Sequence, residues 1–222
     1  LLFYAEAAKY NVLPLDNARL PRMDVSIRPS LTRGRTEFTY SGTITRIPEG
    51  AAPDLKNKSF RITADVVLQK GNEEGIIVTH GGISAGYALM FESGKPVFHY
   101  NFANIEHYNI GGREALKPGR HNVVFDFLHD GGGVGKGGTG TLSVDGKEVA
   151  RGRIEKTVPF RLSLDETFDV GEDTGTPVSL SYDVPFRFTG TIEKVVVRPG
   201  ESRLSAGDRK KVRAKEAKIK AD

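Results

Sequence analysis

The chain has 222 residues, 38% of them hydrophobic and 27% charged, with 26 glycines, 11 prolines and neither cysteine nor tryptophan. This length and apolar share suit one large or two small domains with a buried core, and the lack of cysteine excludes disulfides, thiolate metal sites and a cysteine nucleophile. Of 32 basic and 28 acidic residues, eight and four fall within 201–222, so residues 1–200 balance at 24 of each and the net charge of +4 belongs to the C-terminal stretch, which argues against a nucleic-acid surface on the main body.

Leu1 to Tyr10 reads as a helix, rich in alanine and leucine and free of glycine and proline. It lacks the basic start and long apolar run of a signal peptide, and no segment of the chain approaches the roughly 18 apolar residues of a membrane span. Its apolar opening and missing N-cap fit the last helix of a preceding domain, taken as residues 1–16. Residues 17–34, with Pro21 and Pro29, read as a linker.

From about Arg35 the apolar period becomes two. Phe60, Ile62, Ala64, Val66 and Leu68 alternate with Arg61, Thr63 and Asp65, as a half-buried strand requires. Further strands are predicted over 75–80, 86–91, 96–102, 107–110, 122–128, 140–144, 147–153, 161–164 and 189–198. Asp145-Gly146 marks a type I′ hairpin, and Ser93-Gly94 a looser one. Ten or so short strands with no internal helix predict an all-β, antiparallel two-sheet sandwich of the concanavalin A-like or laminin-G-like jelly-roll kind over residues 35–200. Residues 201–222 form a basic tail, read as a short exposed helix or a disordered tail, and as a candidate tether to anionic surfaces.

Four groups of residues are candidates for chemistry. Gly133-x-Gly135-x-x-Gly138 has the spacing of a phosphate-binding fingerprint, but a strand follows it where that fingerprint needs a helix; a wide flexible hairpin loop is the simpler reading. In the acidic stretch 165–173, Glu166, Asp169 and Glu172 alternate faces on a strand, which excludes the converging carboxylates of a retaining glycosidase. Asp169, Glu172 and Asp173 could supply hard oxygen ligands to calcium, although the EF-hand order is absent and a solvated acidic loop is the simpler reading.

His80, His99, His107, His121 and His129 show no zinc spacing. His99-Tyr100-Asn101 and His107-Tyr108-Asn109 repeat a tripeptide in neighbouring strands, so His99, Tyr100, His107 and Tyr108 are candidates for a sugar-binding face, against ordinary cross-strand packing. Asn57-Lys-Ser59 is a glycosylation sequon only in a secreted eukaryotic chain.

Several runs occur together in an order that resembles bacterial arylsulfatases of the long-chain group. Phe3-Tyr-Ala-Glu-Ala-Ala-Lys-Tyr-Asn-Val-Leu-Pro-Leu-Asp16 resembles the segment closing their catalytic domain. Arg28-Pro-Ser30, Gly34-Arg-Thr36, Arg46-Ile-Pro-Glu-Gly50, Lys56-Asn57, Gly131-Gly-Gly133, Gly135-Lys-Gly-Gly138, Val144-Asp-Gly-Lys147 and Ser163 to Val178 resemble the region that follows it. The resemblance implies a non-catalytic C-terminal sandwich that packs on a sulfatase catalytic domain and shapes its substrate cleft. It also implies that the formylglycine nucleophile and the divalent cation, Ca2+ or Mg2+, lie upstream, since this chain has no C/S-x-P-x-R motif. Periplasmic or secreted placement is implied for such a parent only. The alternative is a lectin-like carbohydrate-binding module recognising sulfated or acidic glycans. Expected partners are therefore the sulfatase domain and a glycan, with no cofactor in this chain and no nucleic acid.

Overall fold

The computed structural model describes residues 2–10, 31–163, 165–208 and 210. It is the expected antiparallel two-sheet sandwich, preceded by helix α1 (Leu2–Lys9). The first sheet contains β1 (Phe38–Tyr40), β3 (Lys58–Leu68), β8 (Gly119–His129), β9 (Lys136–Val144), β10 (Lys147–Lys156) and β14 (Thr191–Ser202), in the order β1-β14-β3-β8-β9-β10. The second contains β4 (Gly75–Gly82), β5 (Ala85–Glu92), β6 (Lys95–Phe102) and β7 (Glu106–Gly111), extended at one edge by β2 (Ile44–Ile47), β11 (Phe168–Val170), β12 (Glu172–Asp173) and β13 (Phe186–Arg187). Described neighbours pair antiparallel, apart from one parallel contact of β13 with β4.

The period-two pattern decides the core. Phe60, Ile62, Ala64, Val66 and Leu68 of β3 face inward with Val123, Phe125 and Phe127 of β8, against Tyr87, Leu89 and Phe91 of β5 and Phe98 of β6. Phe98 stacks on Phe125 with ring centroids 3.5 Å apart, joining the two sheets. On the solvent side, Arg61 pairs with Asp126 at 2.6 Å and Arg198 with Glu37 at 2.7 Å, so the outer face of the first sheet is laced with exposed ion pairs of small energetic weight.

Three differences from expectation have physical causes. First, residues 161–163 form no strand: Leu162 points into the core from an irregular segment, and Arg161 is held by Glu49 at 3.2 Å. Leu164 lies outside the described residues. Second, the glycine-rich segment is only half loop: residues 130–135 connect β8 to β9, and 136–140 are the first residues of β9. A Cβ on Gly138 would sit 2.6 Å from the Phe127 ring, and one on Gly140 would sit 2.7 Å from Phe125, so these glycines make room for aromatic packing. With a strand on both sides, the phosphate-cradle geometry does not form. Third, β14 runs past Gly200, and Ser202 still pairs with Lys58. Residues 11–30, most of the expected linker, and 211–222, most of the basic tail, lie outside the described residues.

Both hairpins form as expected: Asp145 and Gly146 have φ of 51° and 78°, and Ser93 and Gly94 have φ of 49° and 79°. Ser93-Gly94 is thus as regular a turn as Asp145-Gly146. No described helix is long and apolar enough to cross a membrane.

Candidate functional site

The repeated tripeptide is self-complementary in an antiparallel pair. β6 and β7 align His99 with Asn109, Tyr100 with Tyr108 and Asn101 with His107. Because side chains alternate across a strand, both tyrosines fall on the inner side and both histidines on the outer side. Tyr100 is 6% exposed, and its hydroxyl accepts the Val158 N–H at 2.8 Å. Tyr108 packs against the core, and its hydroxyl donates to Glu106, which also pairs with Lys156. Tyr100 and Tyr108 are therefore packing residues, and no stacking platform forms from them.

The outer side gathers four side chains into one chain of contacts. His99 Nδ1 lies 2.5 Å from Asn109 Oδ1, and His99 Nε2 lies 3.0 Å from His107 Nδ1. His107 Nε2 then lies 3.3 Å from Asn104 Oδ1. His99 is buried beneath this group, while His107, Asn104 and Asn109 are exposed. Burial lowers the His99 pKa, outweighing the hydrogen bond to Asn109, which raises it; the His107 imidazole adds to the lowering.

Asn101 fixes the adjacent end of the sheet. Its Nδ2 donates to the carbonyls of Gly82 at 3.2 Å and Ile83 at 3.0 Å, and its Oδ1 accepts the Asn104 N–H at 2.8 Å. This ties the β4–β5 turn to the β6–β7 turn, where Ala103 and Asn104 have φ of 54° and 52°.

The other half of the outer face is covered. Val178 and Tyr182, with Val184 and Phe186, pack on Ile76, Ala88, Met90 and Val97. The Tyr182 hydroxyl donates to Asp173 Oδ2 at 2.6 Å and accepts the Val178 N–H at 2.9 Å; Ser181 Oγ donates to Glu92 at 2.6 Å. The covering loop thus makes a step beside β6, with the imidazole and amide group on the uncovered floor. Leu180 on this loop and Ile105 in the β6–β7 turn are exposed by 75% and 76%.

The acidic stretch is structural. Asp169, 1% exposed, accepts the Arg46 N–H at 2.5 Å, the Thr167 hydroxyl at 2.9 Å, and the Thr174 N–H and hydroxyl at 3.3 and 3.0 Å. Glu172 pairs with Arg187 at 3.0 Å, and Asp173 is held by Tyr182 and Gly175. Burial raises Asp173 to about 6, and the nearby carboxylates of Asp169 and Glu166 add to the rise. Among the described residues no group of three or more His, Cys, Asp or Glu is placed to hold a metal, so the three calcium candidates do not converge. Their lone pairs are taken by the chain's own donors.

The remaining candidates also resolve into structure. Asn57 is buried; its Nδ2 donates to the Pro159 carbonyl at 2.7 Å and its Oδ1 accepts the Gly135 N–H at 3.0 Å, so the sequon nitrogen is already in use. His121 bridges Asp145 and the Lys117 carbonyl at 2.8 Å each. His80 is buried, and burial lowers its pKa to about 3. It lines an interior cavity of about 20 Å³ with Tyr87, Tyr100 and His129, room for a water molecule and far too little for a sugar ring.

No protein-family model matches the chain, and no curated protein matches it. Solved structures do share its fold. The CBM40 domain of the Ruminococcus gnavus IT-sialidase aligns with a TM-score of 0.52 at 13% identity, over 78% of this chain and 95% of that one. The same domain bound to alpha2,3 sialyllactose aligns at 0.51 and 13% identity, over 72% and 90%. A leech intramolecular trans-sialidase aligns at 0.50 and 10% identity, over 74% of this chain and 25% of that one. At these identities the likeness defines a class by fold: a jelly-roll β-sandwich.

Proposed function

We propose that the chain is a carbohydrate-binding β-sandwich whose site is the uncovered outer face of β6 and β7, beside the step made by residues 174–186. The observation that carries this reading is the convergence of His99, His107, Asn104 and Asn109 on a rigid sheet. Amides and imidazoles offer both donors and acceptors, as a hydroxyl-rich ligand requires, and the exposed Leu180 and Ile105 offer apolar surface for sugar C–H groups. The CBM40 domain of the same fold, solved with sialyllactose, supports the reading. Calorimetric titration of the chain with neutral, sialylated and sulfated oligosaccharides tests it. Saturable binding that is lost in Asn109→Ala is expected, and no heat with any sugar would refute it.

A second reading, that this sandwich is the accessory C-terminal region of an arylsulfatase, rests on the sequence runs quoted above. It is favoured by one observation: Leu2, Phe3 and Tyr4 of α1 are exposed by 77%, 59% and 66%, apolar surface that a preceding domain would cover. In that setting the nucleophile and the Ca2+ or Mg2+ ion belong to the catalytic domain, and the isolated chain hydrolyses no aryl sulfate. Measured turnover by the purified chain would contradict it.

A further inference from the structure

The outer-face chain of contacts holds a number of hydrogens that depends on its charge state. Its three contacts, Asn109 to His99, His99 to His107 and His107 to Asn104, each need one hydrogen. With both amide oxygens turned toward the rings, all three hydrogens must come from imidazole nitrogens. Two neutral imidazoles carry two N–H groups in total, so the third makes the pair a monocation. A neutral pair satisfies the same three contacts only when one of the two asparagines turns its NH2 toward the ring. The two protonation states therefore present different surfaces. In the cationic state the NH2 groups of both exposed asparagines face away from the rings, beside a positive charge; in the neutral state one amide oxygen replaces one of those donors.

We propose that the His99–His107 pair is a proton-gated oxyanion site, which takes up one proton as a unit and in that form binds the carboxylate or sulfate group of an acidic sugar. This rests on the glycan reading above and deepens it by naming the ligand class and its control. The surrounding groups fit the assignment. β5 contributes Glu92, which favours the proton on His99 and is itself held by Ser181. β7 contributes Glu106 on its inward side, engaged by Lys156 and Tyr108. The covering loop contributes Tyr182, bonded to Asp173 of β12. Burial opposes a charge on His99, and the exposed members of the group, His107, Asn104 and Asn109, are the ones a ligand meets.

The test uses the whole chain titrated with 3′-sialyllactose, a 3′-sulfated lactose and lactose, at about pH 5.5 and about pH 8, either side of the ordinary imidazole value of about 6.5. Affinity for the acidic sugars should fall by roughly tenfold for each pH unit above the titration of the pair, while lactose affinity stays level. The two acidic arms tell a carboxylate from a sulfate. His107→Gln, at an exposed position that folding tolerates, should abolish the pH dependence, and imidazole 15N spectra of the parent should show three ring N–H hydrogens on the His99–His107 pair at low pH and two at high pH. Acidic-sugar affinity independent of pH, or a slope that survives in H107Q, overturns the gate and leaves the glycan reading standing. If no sugar binds at either pH, both fall.

Discussion

Asp173→Asn should stabilise the protein at neutral pH, although the substitution removes a carboxylate that makes two hydrogen bonds. In the folded chain Asp173 has its pKa raised from 3.8 to about 6, with burial the largest cause. A folded-state value above the unfolded one means that the native state holds the proton more tightly. This group therefore favours folding at low pH, and that advantage is lost as pH rises from about 4 through about 6. Above that window the buried carboxylate costs about 3 kcal/mol, taking about 1.4 kcal/mol for each pH unit between the two values. Asparagine removes the charge and keeps an acceptor for the Tyr182 hydroxyl, but it loses the second acceptor that now receives the Gly175 N–H at 3.2 Å, a loss of about 1 kcal/mol. The variant should thus be more stable than the parent by about 2 kcal/mol near pH 7, and less stable by about 1 kcal/mol near pH 3. Urea unfolding followed by circular dichroism, suited to a chain without tryptophan, measures both. Destabilisation by the same amount at both pH values would show that the carboxylate is not penalised, and the reasoning would fail.

Other substitutions probe the framework around the site. Gly140→Ala would place a Cβ 2.5 Å from Ile110 Cδ1 and 2.7 Å from Phe125 Cζ, and should cost about 1–3 kcal/mol in thermal unfolding. Phe98→Ala removes the ring stacked on Phe125 and should cost about 3–5 kcal/mol; a loss below about 1 kcal/mol would contradict the inter-sheet contact. Asp169→Ala strands the Arg46, Thr167 and Thr174 donors and should cost roughly 2–4 kcal/mol, with no dependence on added calcium in parent or variant.

Much of this fold is legible in local pattern. The alternation in β3, β8 and β14 marks the core face without any knowledge of the partners, and Asp145-Gly146 fixes its hairpin through the conformations those residues tolerate. What the pattern misses has a common cause. β11, β12 and β13 are two or three residues long, too short for a period to register, and they exist because β4 offers an unpaired edge. The glycines of β9 resemble a loop because glycine signals backbone freedom in sequence, whereas here they yield space to Phe125 and Phe127. Arg161-Leu-Ser163 has strand-like alternation, yet its backbone takes no ladder; Leu162 is buried and Arg161 pairs with Glu49 from an irregular segment.

The candidate site was half legible. The repeat His-Tyr-Asn is visible in sequence, and antiparallel pairing of adjacent strands is enough to set each histidine opposite an asparagine. The roles within the repeat were not visible, because the tyrosines belong to the core face and only the register shows it. Asn104 carries no motif signal of its own; it joins the site through a turn held by Asn101.

The place where a sugar touches the protein is the most direct test of glycan binding on β6 and β7. Backbone amide shifts of 15N-labelled chain, followed during titration with 3′-sialyllactose near pH 5.5, should move at residues 99, 104–109 and 178–182 and stay still on Arg61, Asp126 and Arg198 of the opposite sheet. Shifts confined to that opposite face, or no shifts with any sugar, would contradict it.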